Sequence, residues 1–336
     1  MTFVRAEMPA MSPEQARIFR RKLLAWYRRQ GRDLPWRRTR DPYAILLSEF
    51  MLQQTQVATV IPYYERWLQR FPDFSALATA VESDVLHAWQ GLGYYARARN
   101  LHAAAKAVVA QHGNQFPREI ADARELPGVG RYTAHAVATF AFDAAVPIVE
   151  ANTARVFARL ANLQLRVDST AGQAFLWQSA ESLLPSRNAG AHNSALLDLG
   201  ALICVPGQPK CHLCPVQEFC RAQTPAELPR KRPRPALKQL TECHQFVQQR
   251  GSVLLEQSHD RWRGMWILPR LTRPPSAARV LHEAHFPFTH HRIKLAVFSG
   301  TATSPLVQSQ RWFALPELAS IPVPTPHRRA LDALLV

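Results

Sequence analysis

Apolar residues recur at three- and four-residue spacing through 56–70, 83–90, 96–111, 131–142, 153–161, 171–184 and 191–203. That is the period of a helix with one buried face. Two start signals precede them. Ser12-Pro13-Glu14 joins a cap residue to a Pro in the first turn, and Asp41-Pro42 repeats the signal ahead of "YAILLSEFML". Strand-like alternation is scarce here, so residues 12–224 read as mostly helical. The texture changes at 222–239, "AQTPAELPRKRPRPALKQ". Rich in Pro and cations and poor in large apolar side chains, it cannot pack a core and reads as a linker. Beyond it, "CHQFVQQ", "SVLLEQ", "MWILPRL", "RIKLAVFSG" and "RWFALP" are short strand candidates between turns. The expected organisation is a helical domain at 1–224, a basic linker at 225–239 and a small strand-bearing domain at 240–336. No internal repeat is visible.

Charge sharpens this picture. Lys+Arg 41 against Asp+Glu 25 gives a formal net charge of +16, which favours polyanions, nucleic acid first and an anionic membrane surface second. The most apolar stretch, 134–149, is interrupted by His135, Asp143 and Pro147, so no membrane-spanning segment is expected. The first residues, "MTFVRAEMPAMSPEQ", lack the apolar core of a signal peptide, which gives a cytoplasmic expectation.

Four of the five cysteines fall in "CVPGQPKCHLCPVQEFC": Cys204, Cys211, Cys214 and Cys220. In a cytosolic chain a metal site is the leading reading of such a cluster. Structural zinc usually uses two C-x2-C pairs held apart, whereas one compact loop with four thiolates favours a cubane iron–sulfur cluster, with zinc the alternative. Closing this loop would present Lys210 and backbone N–H groups to a phosphate. Cys243 reads as a buried strand residue.

Two further places carry candidate chemistry. "LPGVGRYTAHAVATF", 126–140, sets Gly128 and Gly130 in a turn before a helix, where glycine permits positive φ and close approach of N–H groups to a phosphate. Glu49 is the only acid in its apolar helix, where burial would raise its pKa, although Ser48 beside it leaves a partly exposed polar face as the alternative. A second carboxylate, Glu150, closes the apolar run "PIVE" before the helix "ANTARVFARL".

The order of these parts resembles the helix–hairpin–helix DNA glycosylase superfamily, and within it the MutY-type adenine DNA glycosylases. The likeness is carried by "LPWRRTRDPYAILLSEFMLQQTQVATVIPYYERW", "GLGYYARARNLH", "LPGVGRYTAHAV", "NTARVFARL", "LDLGALIC" and the cysteine loop. It implies a mainly α helix–hairpin–helix glycosylase domain with an iron–sulfur cluster loop, plus a small α+β MutT-like C-terminal domain. It further implies one [4Fe-4S] cluster on the four cysteines and, as substrate, double-stranded DNA with A:8-oxoguanine or A:G mispairs, acted on by a monomer without a membrane partner.

Under this resemblance Glu49 is the general acid and Glu150 the second carboxylate. The sequence departs from the family there: E-A-N stands at 150–152 where the family typically has D-G-N. The charge is kept on a side chain one methylene longer, and Ala151 stiffens the turn. Tyr132 occupies the hairpin-helix position that carries a Schiff-base lysine in strand-cutting relatives. Only six of the cations are lysines, and Lys22 and Lys106, the two before residue 200, lie outside these motifs, so a monofunctional hydrolase is expected. Tyr132 stands to hydrogen-bond the departing base or a catalytic carboxylate, and Asn152 to position Glu150 or water, or simply to cap its helix. Gln53, Gln54 and Thr55 resemble the segment that reaches into the opened duplex. Tyr94, followed by Arg97 and Arg99, resembles a wedge between base pairs.

In the C-terminal part, Phe288-Thr289-His290 lies at the place of the family's F-S-H damage-reading motif. The Glu-rich metal helix of true nucleotide hydrolases is missing, since Glu283 is the only acid between 271 and 291. The domain is therefore expected to read 8-oxoguanine and not to hydrolyse. Alternatives are a glycosylase for thymine or uracil opposite guanine, and a non-catalytic binder of mismatched or oxidised DNA, which Glu150 keeps open.

Overall fold

Ser12 starts the first helix as its sequence predicts. Its Oγ accepts the Gln15 N–H at 3.1 Å while Gln15 Oε1 accepts the Ser12 N–H at 2.9 Å, a reciprocal cap for two otherwise orphaned donors. Asp41 heads the next, its carboxylate accepting the Tyr43 N–H at 3.0 Å. The computed structural model describes residues 11–233, 235–275 and 279–335. In chain order its α-helices are α1 (Pro13–Gln30), α2 (Pro42–Leu52), α3 (Val57–Arg70), α4 (Phe74–Thr79), α5 (Glu82–Ala88), α6 (Ala96–Gln111), α7 (Ile120–Glu125), α8 (Arg131–Phe142), α9 (Ala151–Leu160), α10 (Thr170–Ser182), α11 (Ala189–Asp198) and α12 (Thr325–Leu334). No helix among the described residues is long and apolar enough to cross a membrane.

The chain forms two compact units, neither of them contiguous. The first takes residues up to Glu49 and Ala110–Pro233; the second takes Phe50–Val109 and Arg234–Val336. The helical half thus contributes to both, a different division from the linear 1–224 and 240–336. The last crossing does fall inside the Pro-rich stretch at 225–239.

In the first unit, Phe19 and Leu23 of α1, Phe157 of α9, Leu176 of α10 and Leu196 of α11 share one core. Asp198, fully buried at the end of α11, holds Arg32 at 2.6 Å and Arg37 at 2.8 Å. The connection between α1 and α2 is thereby fixed to α11, and removing one partner of such a buried pair typically costs about 3–5 kcal/mol.

The second unit joins α3–α6 to the C-terminal strands β1 (Lys238–Phe246), β2 (Gln248–Gln249), β3 (Ser252–Gln257), β4 (Trp266–Ile267), β5 (Arg270–Leu271), β6 (Val280–Phe288), β7 (His291–Ser299) and β8 (Gln310–Ala314). One sheet has the order β5-β1-β7-β6. In the other, β3 lies between β2 and β4 in sequence of pairing and also pairs β8. β1 runs parallel to β7, and β6–β7 is an antiparallel hairpin in which Phe288 faces His291. Val253, Leu255, Leu295, Val297, Phe313 and Leu331 form the core.

Three expectations are corrected here. β1 begins at Lys238, within the expected linker, because its backbone pairs with β7 from the first residue, including Lys238 N–H to the His290 carbonyl at 2.9 Å. Cys243 is a strand residue but only half-buried; the inward position of the two-residue alternation belongs to His244. β6 was not anticipated, since in "VLHEAHFPF" two histidines, an acid and a proline interrupt the apolar residues.

Contacts inside the second unit explain why the strands group with α3–α6. Arg99 donates to the Arg263 carbonyl at 3.0 Å, and Gln90 Oε1 accepts the Val323 N–H at 3.4 Å. A Cβ on Gly264 would lie 3.1 Å from Leu86 and 3.2 Å from Glu82.

Candidate active site

Glu49 projects from α2, the one acid of a largely apolar helix, and is 7 % exposed. Burial pushes its carboxyl up to about 7. A hydrogen bond from the Tyr132 hydroxyl and the charge of Arg37 pull the other way, and the charge of Glu150 adds to the rise. The half-exposed polar face that the pattern allowed is not what forms: Ser48 is buried too and satisfies itself on the Ile45 carbonyl at 2.8 Å. Tyr132 comes from the first turn of α8. Its phenol is raised well above the ordinary value by burial and then by both carboxylates. Two carboxyl groups and one phenol therefore share one poorly solvated site in the first unit.

Glu150 is the N-cap of α9. Its Oε1 accepts the N–H groups of Asn152 at 2.6 Å and Thr153 at 2.9 Å, and its Oε2 faces Asn152 Nδ2 at 3.3 Å. Thr153 Oγ1 accepts the Glu150 N–H at 2.9 Å, closing a capping box. Burial raises the Glu150 carboxyl, while the two N–H groups, the Arg155 charge and the Asn152 amide oppose that rise by favouring the anion. Ala151 occupies the first helical position and is exposed, so the residue expected to stiffen a turn extends a helix instead.

Asn152 is itself held. Arg155 Nη2 donates to its Oδ1 at 2.8 Å and to the Gly200 carbonyl at 2.6 Å, and Arg155 Nε donates to the Cys204 carbonyl at 2.6 Å. The backbone approaches closely here because residue 200 is glycine: a Cβ would stand 2.7 Å from that of Asn152. Sequence reading missed Arg155. Its one signal is a cation on the otherwise buried face of α9.

The four loop cysteines are free of disulfides. Burial, followed by the neighbouring thiols of Cys204, Cys220 and Cys211, pushes Cys214 up to about 11, opposed by the Val216 N–H. Arg159 Nη1 lies 3.2 Å from Cys204 Sγ and 2.8 Å from the Val205 carbonyl. Four thiols that repel one another as anions beside a guanidinium fit a cationic metal centre as donor set. Among the described residues, no three His, Cys, Asp or Glu groups converge as single-ion ligands. The Lys210 side chain is exposed, but its N–H is used within the loop, on the Ile203 carbonyl at 2.9 Å.

In the turn before α8, Gly128 has φ +75°, as expected. Gly130 does not: at φ −84° it is an ordinary extended N-cap, and a Cβ there would meet nothing within 4 Å. The space over Gly130 is thus open to a ligand.

In the second unit, Gln54 and Tyr94 are held in the left-handed region at φ +58° and +48°, sparsely populated for non-glycine residues. Tyr94 is 43 % exposed, unusual for a large aromatic, while Gln53 and Thr55 are partly buried. Arg97 and Arg99 do not form a free cationic edge beside it, since Arg97 is 6 % exposed and Arg99 half-buried. Thr289 and His290 form the exposed tip of the β6–β7 hairpin, with Thr289 at φ +50°. The Phe288 ring lies under the Arg261 guanidinium at 4.4 Å. Glu283, the lone acid of this stretch, is engaged by Lys294 at 2.7 Å.

Residues 47–178 match the HhH-GPD superfamily of base excision DNA repair proteins. The chain is 42 % identical over 234 residues to the adenine DNA glycosylase of Rattus norvegicus, covering 67 % of this chain and 45 % of that protein. To the adenine DNA glycosylase of Mycobacterium tuberculosis it is 43 % identical over 221 residues, covering 63 % of this chain and 72 % of that protein. It thus spans about half the length of the mammalian relatives it matches. A solved structure of a thermostable thymine-DNA glycosylase superposes with a TM-score of 0.57 at 31 % identity, over 62 % of this chain and 96 % of that one. With the hairpin, the paired carboxyl groups and the cysteine loop in this order, the chain belongs to the adenine DNA glycosylase family of the HhH-GPD superfamily.

Proposed function

We propose that this chain is a monofunctional adenine DNA glycosylase that hydrolyses the N-glycosidic bond of adenine mispaired with 8-oxoguanine or guanine in double-stranded DNA. The observation that carries this reading is Glu49: a buried carboxyl held near pKa 7 with a second carboxyl beside it. Glycosidic cleavage needs one protonated acid and one anion. Glu49 gives its proton to the departing base, and the bond's electron pair leaves with that base. The Glu150 carboxylate, fixed by the α9 N–H groups and Asn152, stabilises the cationic sugar until water adds to it. Tyr132 holds Glu49 in place. Without a lysine at that position no Schiff base forms, and the product is an abasic site.

The open space over Gly130, the left-handed Gly128 and Lys210 support contacts to backbone phosphates. Gln53, Gln54, Thr55 and the exposed Tyr94 serve to open the duplex, as flipping requires. Phe288, Thr289 and His290, at a hairpin tip, serve to read 8-oxoguanine, with 240–336 as a MutT-like recognition domain. Cys204, Cys211, Cys214 and Cys220 would hold a [4Fe-4S] cluster, which would cross-link the loop structurally. The enzyme would act as a monomer in the cytoplasm.

The test is a single-turnover assay on duplexes carrying A:8-oxoguanine, A:G or T:G, with alkali revealing abasic sites. Cleavage of the adenine strands is expected. Cleavage of T:G alone would make this a thymine glycosylase, and tight binding without product would make it a non-catalytic binder.

A further inference from the structure

Arg97 is the most heavily engaged cation of the second unit, yet nothing in the chemistry above uses it. Its Nη1 donates to the carbonyls of Phe50 at 3.0 Å, Met51 at 2.8 Å and Gln53 at 2.5 Å. Its Nη2 donates to Thr55 Oγ1 at 3.1 Å, to the Leu92 carbonyl at 3.0 Å and to the Gly93 carbonyl at 3.1 Å. The guanidinium also stacks near Trp89 at 5.3 Å and Tyr94 at 5.6 Å.

These partners fall into two sets. Phe50 and Met51 carry orphan carbonyls of the last turn of α2, where a cation is favoured, and Gln53 and Thr55 continue directly from it. Leu92 and Gly93 form the turn that delivers Tyr94. Each set flanks a non-glycine residue in the left-handed region, Gln54 between Gln53 and Thr55 and Tyr94 just after Gly93. Such backbone persists only where the surroundings over-determine it. Arg97 supplies that constraint to both segments at once, because its two terminal nitrogens, set apart in a planar fork, span two loops as no lysine can, while its buried Nε–H finds no partner.

We propose that Arg97 is a positioning residue that locks the Gln53–Thr55 segment and the Tyr94 turn into one rigid unit, so that wedge and reading loop enter the duplex together. This rests on the function proposed above. Arg97 touches no DNA in this arrangement; it acts through Tyr94 and Gln54.

The experiment uses the full chain. Opening of the duplex is read from 2-aminopurine fluorescence beside an A:8-oxoguanine pair, and cleavage from single-turnover rates, for wild type, Arg97→Lys, Tyr94→Ala and the double variant. Arg97→Lys is expected to keep its fold by circular dichroism and its affinity for undamaged duplex. It should lose on the order of 10- to 10²-fold in cleavage, as a misplacement of about 1 Å does, with a parallel loss of the opening signal. The double variant should lose no more than the worse single variant, because both disable one unit. A folded Arg97→Lys with wild-type opening overturns the proposal, as does a double variant whose losses multiply. If Arg97→Lys does not fold, Arg97→Gln takes its place, since a shorter side chain with one amide nitrogen can reach one segment but not both. A two- to threefold fall in its opening signal supports the proposal, and no change overturns it. Failure of the wild type to cleave or open the duplex instead removes the underlying function.

Discussion

Glu49 in the first unit and His244 in the second are comparably buried, 7 % and 1 % exposed, and each is moved by about the same amount from its ordinary pKa. The direction is opposite. Burial keeps the proton on Glu49 up to about pH 7 and takes it off His244 down to about pH 4. The two surroundings differ in what accompanies that shift. Glu49 has a second carboxylate and a phenol beside it. His244 and its neighbour His327 stack edge to face at 4.7 Å, and between them satisfy both backbone groups of Leu268: its carbonyl at 2.6 Å from His244 Nδ1, its N–H at 3.2 Å from His327 Nδ1. Trp262 closes the cluster 5.0 Å from the His327 ring. A perturbed pKa therefore does not by itself mark chemistry. In one place it stores a proton beside an anion; in the other it keeps two imidazoles neutral so that they can pack.

The largest test of this contrast is Glu49→Gln. The amide keeps the shape and cannot give a proton, so single-turnover cleavage should fall by on the order of 10³-fold while duplex binding persists. Turnover within tenfold of wild type would strip Glu49 of its role and leave the two buried sites chemically alike.

Next in size is Glu150→Asp. Aspartate is the better N-cap, so stability should change by less than about 0.5 kcal/mol. In a site shaped around glutamate, the shorter side chain withdraws the carboxylate by about 1 Å, and cleavage should slow by roughly 10- to 10²-fold. A faster Asp variant would mean that the surroundings still suit the residue typical of the family.

The histidine cluster should fail on the acid side. His244 has a folded pKa of about 4, below its unfolded value. The unfolded state therefore binds more protons between pH 6.5 and 4, and stability falls as pH drops through that window. From pH 7 to pH 5, His244 alone should remove roughly 2 kcal/mol, about 30-fold in the unfolding constant, measured by urea denaturation with Trp262 fluorescence among the signals. Stability flat over this range would show that the imidazoles are not held neutral.

How far these sites were legible in the sequence follows the range of the interactions that make them. Glu49 was legible because one acid in an apolar helix is a local pattern, and Glu150 and Asn152 because a cap and its helix are adjacent. The cysteine loop spans only 17 residues, 204–220. Arg97 was not legible as a buried staple. Five of its six partners are carbonyls, which any residue supplies, and four of the six lie more than 40 positions away. Arg155 was lost for the same reason, its carbonyl partners at Gly200 and Cys204 being 45 and 49 residues distant. β6 was lost because this edge strand buries no residue fully, and its histidines, acid and proline weaken the apolar signal of its inner face. The division of the helical half between two units depends on what α3–α6 pack against, which no helical period encodes.

The last test separates the two sites on a single axis. If Glu49 must be protonated to act, the single-turnover rate should fall about tenfold per unit above pH 7, the opposite side from the acid loss of the histidine cluster. The same shift has a stability sign. The folded pKa of Glu49 is raised, so its contribution is fully present below its unfolded pKa and is lost as pH rises through 7. Glu49→Gln should therefore be the more stable protein at pH 8 by roughly 3 kcal/mol, and show no advantage at pH 4. A rate that declines above pH 7 without this stability crossover would assign the titration to another group, with Glu150 the first to examine because its carboxyl is raised as well.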